Sequence, residues 1–372
     1  MATRKPAGVY AALGIRPVIN FQGTMTTIGA SKMPPEVHAA MAEASRHYVP
    51  LGELQEKVGA RLATLCGTEA ALVTSGAAAA LAVGTYGILT GPDTAKVRRL
   101  PDLAGMKTQA VTQKCHLNGY DHAVRSAGLQ LITIETREQL ERVLAQDTAL
   151  MYFQGGTSHD WEWETPIPLA ECLKLTKAAQ VPLLVDAANM LPAWENIPQL
   201  ARQGVDLIAI SGGKHIRGPQ SSGILAGRPA LIRAAALNSS PHSDAQGRPM
   251  KVNREEMVGL LAAVERYVKL DFAALDRECA RQADYLIAEF TRLNLKAERT
   301  PFDRTRRVHR VRVAWDRSRH KHSPAAVAQA LWDGEPRIAV AQHQGQLEFT
   351  VFMNEPGEER IAARRMRELF SA

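Results

Sequence analysis

Cysteine is scarce and scattered in this chain. Its four residues, Cys66, Cys115, Cys172 and Cys279, lie far apart with no Cys-x-x-Cys pair, which argues against both a disulfide framework and a cysteine zinc site. They read as reduced packing residues of a cytoplasmic protein, and no metal site is expected. Long apolar runs are missing too: no stretch reaches the roughly 18 residues of a membrane span. The opening residues Met1 to Gly8 include basic side chains but are not followed by an apolar segment and cleavage site, so a secretory signal is not expected. There is no internal repeat and no low-complexity tract. The alanine-rich stretch after Gly76 is helix composition.

What the chain does have is size and a basic balance. With 372 residues, 45% of them apolar and 22% charged, it can bury a large core and is long enough for two or three structural units. The net charge is +7, a weak guide to partners taken alone. Basic residues concentrate between Arg299 and Lys321. Within that stretch Val308 to Trp315 alternates as a strand, with Val311, Val313 and Trp315 on one face and Arg310 and Arg312 on the other.

Three segments carry chemistry. The apolar run Val205 to Ile210 predicts a buried strand that ends in the glycine-flanked turn Ser211-Gly212-Gly213-Lys214, and glycines there let the backbone approach a flat ligand. A second buried strand, Val181 to Val185, ends on Asp186. A lysine and an acid at the ends of successive strands are what pyridoxal phosphate needs, one to form an imine and one to keep the pyridine nitrogen protonated. The plainer reading is a pair of solvated strand-end charges. The third segment, Thr74-Ser75-Gly76-Ala77, follows the apolar run Ala70 to Val73 and opens a helix. Its backbone N–H groups and the Ser75 hydroxyl can bind an anion, although Ser is also an ordinary helix cap.

Order and spacing of these segments, together with Leu13 to Asn20, Gly23 to Thr26, Thr68 to Ala79, Val185 to Pro192 and Ser211 to Gln220, resemble the fold-type-I pyridoxal phosphate enzymes. More narrowly, the chain is similar to the selenocysteine synthase-like family, on the side of D-glucosaminate-6-phosphate ammonia-lyase-like proteins. The resemblance runs from near the amino terminus to about residue 265. It implies an α/β fold of the aspartate aminotransferase type, with a large mixed, mostly parallel sheet and a smaller carboxy-terminal α/β domain. Pyridoxal 5'-phosphate is the implied cofactor, held by Lys214, Asp186, Ala188, Ser75, Gly76, Ala77 and Ser211. His116 is the residue expected to lie over the cofactor ring, with a second role in proton transfer; a surface or capping histidine is the competing account. Asn20, Gln22, Thr24, Arg217, Arg310 and Arg312 are the substrate-binding candidates, since an arginine can grip a carboxylate through two hydrogen bonds. His215 is a further candidate near the lysine.

The predicted organisation has an arm over residues 1–50, a large cofactor-binding domain over 51–258 and a small domain with its connecting helix over 259–372. In the arm, Pro34-Pro35 leads a helix. Strands at Gln130 to Ile134 and Ala149 to Phe153 alternate with helical segments, which argues for a parallel sheet with its ligand crevice at the strands' carboxyl ends. Glu255 to Leu293 reads as one long helix, and Gln346 to Phe352 as a strand of the small domain. The stretch Thr157 to Glu164, with two tryptophans among acids, is either a loop over the site or a packed surface turn.

The expected reaction is α,β-elimination from a hydroxylated sugar-derived amino acid, phosphorylated or not, yielding a 2-oxo acid and ammonia. Lys214 would take the α-proton. A transferase, aldolase or racemase is compatible with the same scaffold, and so is a selenocysteine synthase-like transferase acting on aminoacyl-tRNA. The long amino-terminal tRNA-binding extension of selenocysteine synthases is not expected here, which favours a small amino-acid substrate over nucleic acid. A homodimer or higher homo-oligomer is implied by the relatives, with no membrane partner.

Overall fold

The computed structural model describes residues 8–156, 165–300 and 308–371. It divides into two compact units, one made of residues 1–30 and 271–372 and the other of residues 31–270. Strands are numbered along the chain. β1 (Val18–Phe21) belongs to the smaller unit. The larger unit supplies β2 (Ala70–Thr74), β3 (Gln109–Gln113), β4 (Gln130–Ile134), β5 (Thr148–Gln154), β6 (Leu183–Asp186), β7 (Leu207–Ser211) and β8 (Gly223–Gly227), and the smaller unit resumes with β9 (Lys296–Arg299), β10 (Arg310–Ala314), β11 (Arg337–His343) and β12 (Gln346–Thr350).

The sheet of the larger unit has seven strands in the order β2-β8-β7-β6-β5-β3-β4. Pairing is parallel from β7 through β6, β5, β3 and β4, whereas β8 runs antiparallel to both neighbours. This is the expected mixed, mostly parallel α/β sheet. All strands except β8 therefore point the same way, and their carboxyl ends line one edge. The central strands are apolar on both faces because both are buried: β6 and all of β7 but its last residue are fully enclosed, as a covered parallel sheet requires.

Helix Gly76–Thr90 lies against β7, β8 and helix Pro229–Leu237. Gly87 permits the close approach of the two helices, since a Cβ there would stand 2.6 Å from the Ala235 nitrogen. The amino end of β6 is pinned by Asp206, whose carboxylate accepts from the Leu183 N–H at 2.9 Å and from Arg228 at 2.9 Å.

The smaller unit has a five-stranded sheet in the order β1-β11-β12-β10-β9, parallel only between β1 and β11. The amino-terminal segment thus reaches this unit as a strand of its sheet. Its core gathers Phe21, Phe290, Val311, Val313, Leu331 and Phe349, with Phe349 in ring contact with Phe21 at 5.7 Å and Phe290 at 5.1 Å.

The single long helix read over Glu255 to Leu293 is two helices, Arg254–Tyr267 and Phe272–Arg292. The second begins afresh because the Asp271 side chain accepts from the Ala274 N–H and caps it. The apolar spacing continues across the break, which hides it. No described helix is long and apolar enough to cross a membrane.

Asp206→Ala leaves the buried Leu183 N–H without its acceptor and is expected to lower the unfolding free energy by about 1–3 kcal/mol. Chemical denaturation of the variant against the parent checks it, and an unchanged midpoint and slope would remove Asp206 from this role.

Candidate active site

The shared edge of carboxyl ends brings the sequence motifs together. Ser75 and Gly76 follow β2, His116 follows β3, Asp186 closes β6, and Lys214 stands in the turn after β7. β8 runs the other way, so it begins at this edge: Gly223 is the register partner of Thr74 on one side and of Ser211 on the other.

The Lys214 turn is closed by its own backbone. Gly212 N–H donates to Ser222 O at 2.9 Å, Gly218 N–H to Gly212 O at 2.9 Å and Arg217 N–H to Lys214 O at 3.1 Å. Gly213 has no room for a side chain, since a Cβ would lie 2.5 Å from Gln220 backbone atoms. The Ser31 hydroxyl donates to Gly213 O at 2.8 Å, fixing the turn from outside. Lys214 itself is half-buried, His215 is buried, and Arg217 adopts a left-handed φ of 61° with its Nε donating to Lys32 O at 2.6 Å.

Asp186 is 6% exposed. Its Oδ1 accepts from the Ala188 N–H at 3.0 Å and its Oδ2 from the Tyr152 hydroxyl at 3.3 Å. Burial pushes this carboxyl above the usual range, while the Ala188 amide, the Lys214 ammonium and the Tyr152 hydroxyl pull it back. Lys214 is therefore within electrostatic reach of Asp186. Tyr152 is pushed well above its ordinary value, first by burial and then by the Asp186 charge, so it stays a protonated donor.

His116 is fully buried. Its ring meets Phe153 edge-on at 4.4 Å and 72°, and Nδ1 accepts from the Gln154 N–H at 3.4 Å. Burial lowers its pKa from 6.5 to about 4, so the ring is neutral near pH 7 and carries its proton on Nε2.

The donor set fits pyridoxal phosphate. Helix Gly76–Thr90 starts at this edge, and Ser75 at its cap position makes no capping bond through its side chain, which leaves the hydroxyl with the first amides for an anion. Gly223 has to be glycine for that helix start to sit where it does, because a Cβ would stand 2.7 Å from Gly76 O and 2.8 Å from Ala77 N. Ser211, at the end of β7 and in register with Gly223, borders the same cradle. A buried acid compensated by a lysine is the complement of a pyridine ring.

The remaining candidates belong to the smaller unit. Asn20 is engaged in its own turn, its Oδ1 accepting from Gln22 and Gly23 N–H at 2.8 and 3.1 Å while its Nδ2 donates to Gly23 O at 2.9 Å. Gln22 and Thr24 flank that turn in the smaller unit. The β10 alternation is as read, but the face holding Arg310 and Arg312 is not a solvated basic surface. Their side chains are 11% and 18% exposed and pair with the buried Glu348 at 3.5 and 3.2 Å. Thr157 to Glu164 lies outside the described residues. Among the described residues no group of three or more His, Cys, Asp or Glu could hold a metal ion, and burial pushes the Cys66, Cys172 and Cys279 thiols up to about 12, which makes them poor nucleophiles.

Sequence reading passed over Tyr152, Asn118, Gly223 and Ser31. Asn118 links the His116 turn to β5, its Nδ2 approaching Gln154 Oε1 at 2.7 Å, His116 O at 3.0 Å and the Tyr152 hydroxyl at 3.3 Å. An aromatic hydroxyl in an otherwise apolar strand was the available signal.

The sequence pattern of the aminotransferase class-V family matches residues 115–341. The chain is 30% identical to the D-glucosaminate-6-phosphate ammonia lyase of Salmonella typhimurium, over 97% of each chain. It is 29% identical to a 5'-C-glycyluridine monooxygenase-decarboxylase of a Streptomyces species, over 97% of this chain and 91% of that one. A solved structure of D-glucosaminate-6-phosphate ammonia-lyase superimposes with a TM-score of 0.83 at 27% identity, covering 99% of both chains.

A buried neutral histidine has a pH signature. The unfolded chain takes up a proton at His116 near its ordinary pKa of 6.5, whereas the folded chain resists until about 4. Stability is thus expected to fall as pH drops through that window and to level off below it. In His116→Gln that portion of the decline should disappear from thermal melts of the cofactor-free protein; an identical pH dependence would show that the ring titrates normally.

Proposed function

Because the chain belongs to the aminotransferase class-V family of pyridoxal 5'-phosphate enzymes, we propose that it is an ammonia-lyase acting on a hydroxylated, sugar-derived amino acid, phosphorylated or not. The observation that carries this reading is the end-to-end match to D-glucosaminate-6-phosphate ammonia lyase.

When bound, the cofactor supplies an electron-accepting ring that stabilises negative charge at the substrate α-carbon. Lys214 Nζ would hold the cofactor covalently, and as a free amine it would take the substrate α-proton. The Asp186 carboxylate would keep the pyridine nitrogen protonated. Ser75 Oγ, the Gly76 and Ala77 amides and Ser211 would bind the phosphate, Ala188 steadies the acid, and His116 would cover the ring as a neutral imidazole. Arg217, in the Lys214 turn, contributes positive charge toward an anionic substrate. The β-hydroxyl leaves as water, and hydrolysis of the released enamine regains that water and yields a 2-oxo acid and ammonia.

A second reading rests on the nearly equal match to the monooxygenase-decarboxylase, whose name denotes oxygen consumption and loss of carbon dioxide. Transfer, aldol cleavage and racemisation release neither ammonia nor carbon dioxide. The scattered cysteines favour a cytoplasmic setting, and the likeness to fold-type-I enzymes favours a homo-oligomer, at least a dimer; a small amino acid suits the site better than tRNA.

Purified protein loaded with cofactor and offered D- and L-hydroxy-amino acids, sugar-derived ones included, is expected to release ammonia and 2-oxo acid in equal amounts. Oxygen uptake with carbon dioxide release would establish the second reading in its place. Lys214→Ala is expected to lose the visible cofactor band and at least about a hundredfold in turnover. A variant that kept both would show that another residue holds the cofactor.

A further inference from the structure

Tyr152 lies in the middle of β5 and is fully enclosed among residues such as Leu150, Leu184 and Ala209. Phenylalanine would fill that volume without burying a hydroxyl, and a buried hydroxyl has to find partners. Both partners point to the edge where the chemistry sits: the hydroxyl donates to Asp186 Oδ2 at 3.3 Å and accepts from Asn118 Nδ2 at 3.3 Å. With Ala188 N–H on Oδ1 at 3.0 Å, each carboxylate oxygen has a donor, so the plane of the group is fixed in rotation.

We propose that Tyr152 is a positioning residue for the cofactor, holding the Asp186 carboxylate ionised and correctly turned beneath the pyridine nitrogen, with Asn118 holding Tyr152 in turn. The inference rests on the assignment of Asp186 to that nitrogen. Among the described residues, the charged and titratable groups that act on the pair are Lys214 and Asp121, with His116 nearby. Lys214 faces Asp186 from the turn after β7, and it favours the ionised acid, as the tyrosine does. Asp121 acts on Tyr152 from beyond Asn118 and opposes loss of its proton; Asp121 is itself paired with Arg125 at 2.8 Å. His116 is neutral at working pH. Asn118 has two N–H donors for three acceptors, Gln154, the His116 carbonyl and Tyr152, so it couples the His116 turn to the Tyr152–Asp186 pair.

Cofactor-free Tyr152→Phe, Asp186→Asn and parent protein, each titrated with pyridoxal phosphate, test the inference. A hydrogen bond to a charged group, at the weak end because the contact is long, corresponds to about a tenfold loss of affinity. Tyr152→Phe is therefore expected to bind cofactor about tenfold more weakly. The acid-side midpoint of its visible band should move to higher pH. Asp186→Asn should lose considerably more affinity. Parent-like affinity and pH midpoint in Tyr152→Phe beside an impaired Asp186→Asn would overturn the role of Tyr152 alone. A lower melting temperature with an unmoved pH midpoint would also overturn it, by showing a packing residue only. An Asp186→Asn protein that binds as the parent does would remove the assignment on which the inference depends.

Discussion

A carboxylate taken almost completely out of water has to be kept charged by what surrounds it, or it takes up a proton. In the larger unit that demand falls on Asp186, and much of the architecture follows from meeting it. The compensating groups come from both sides, Tyr152 from β5 and Lys214 from beyond β7, with the Ala188 amide from the segment that continues β6. Three neighbouring strands must therefore end at one level, and parallel pairing in register achieves that: Gln154 stands opposite Asp186, and Asp186 opposite Ala209. The apolar strands are the insulating medium that makes the charge matter, because the same acid in water would need none of these partners.

The smaller unit treats a buried acid differently. Glu348 is 1% exposed and lies against two arginines of the adjacent strand, so positive charge drawn from its own sheet outweighs it locally. Asp206 is a third case, a buried carboxylate engaged in holding a strand's first N–H and a surface arginine. These are structural solutions that consume the acid's hydrogen-bonding capacity. Asp186 differs in having a lysine in a glycine-rich turn as its counter-charge, and a lysine nitrogen can do chemistry where a guanidinium does not.

The parts of this arrangement visible in the sequence are those written along the chain. An apolar run that stops at a polar residue announces Asp186 and Lys214, and small residues after Thr74 announce a helix start. The mixed α/β sheet follows from the alternation of such runs with helical segments. What depends on register between distant strands is not written there. β5 is buried on both faces, so no alternation shows which way Tyr152 points, and nothing local tells that Glu348 will stand across from Arg312. Gly223 reads as an ordinary strand glycine until β8 is seen to run backwards between β2 and β7. The break at Val268 to Asp271 escapes for a related reason: apolar periodicity reports the buried side of helices and is blind to a short interruption between two of them.

The reversed strand β8 has a bearing on how the protein is made. β2 is synthesised early, yet in the finished sheet it is hydrogen-bonded to β8 alone, a strand that ends at Gly227. Until that late segment leaves the ribosome and inserts, the strand leading to Ser75 and Gly76 has no place in the sheet, and only the packing of helix Gly76–Thr90 on β7 relates them to the lysine turn. Translation stalled before residue 223 should therefore leave a molecule with every one of these side chains already present, while the strand that carries Ser75 to the shared edge still lacks its hydrogen-bonded neighbour β8.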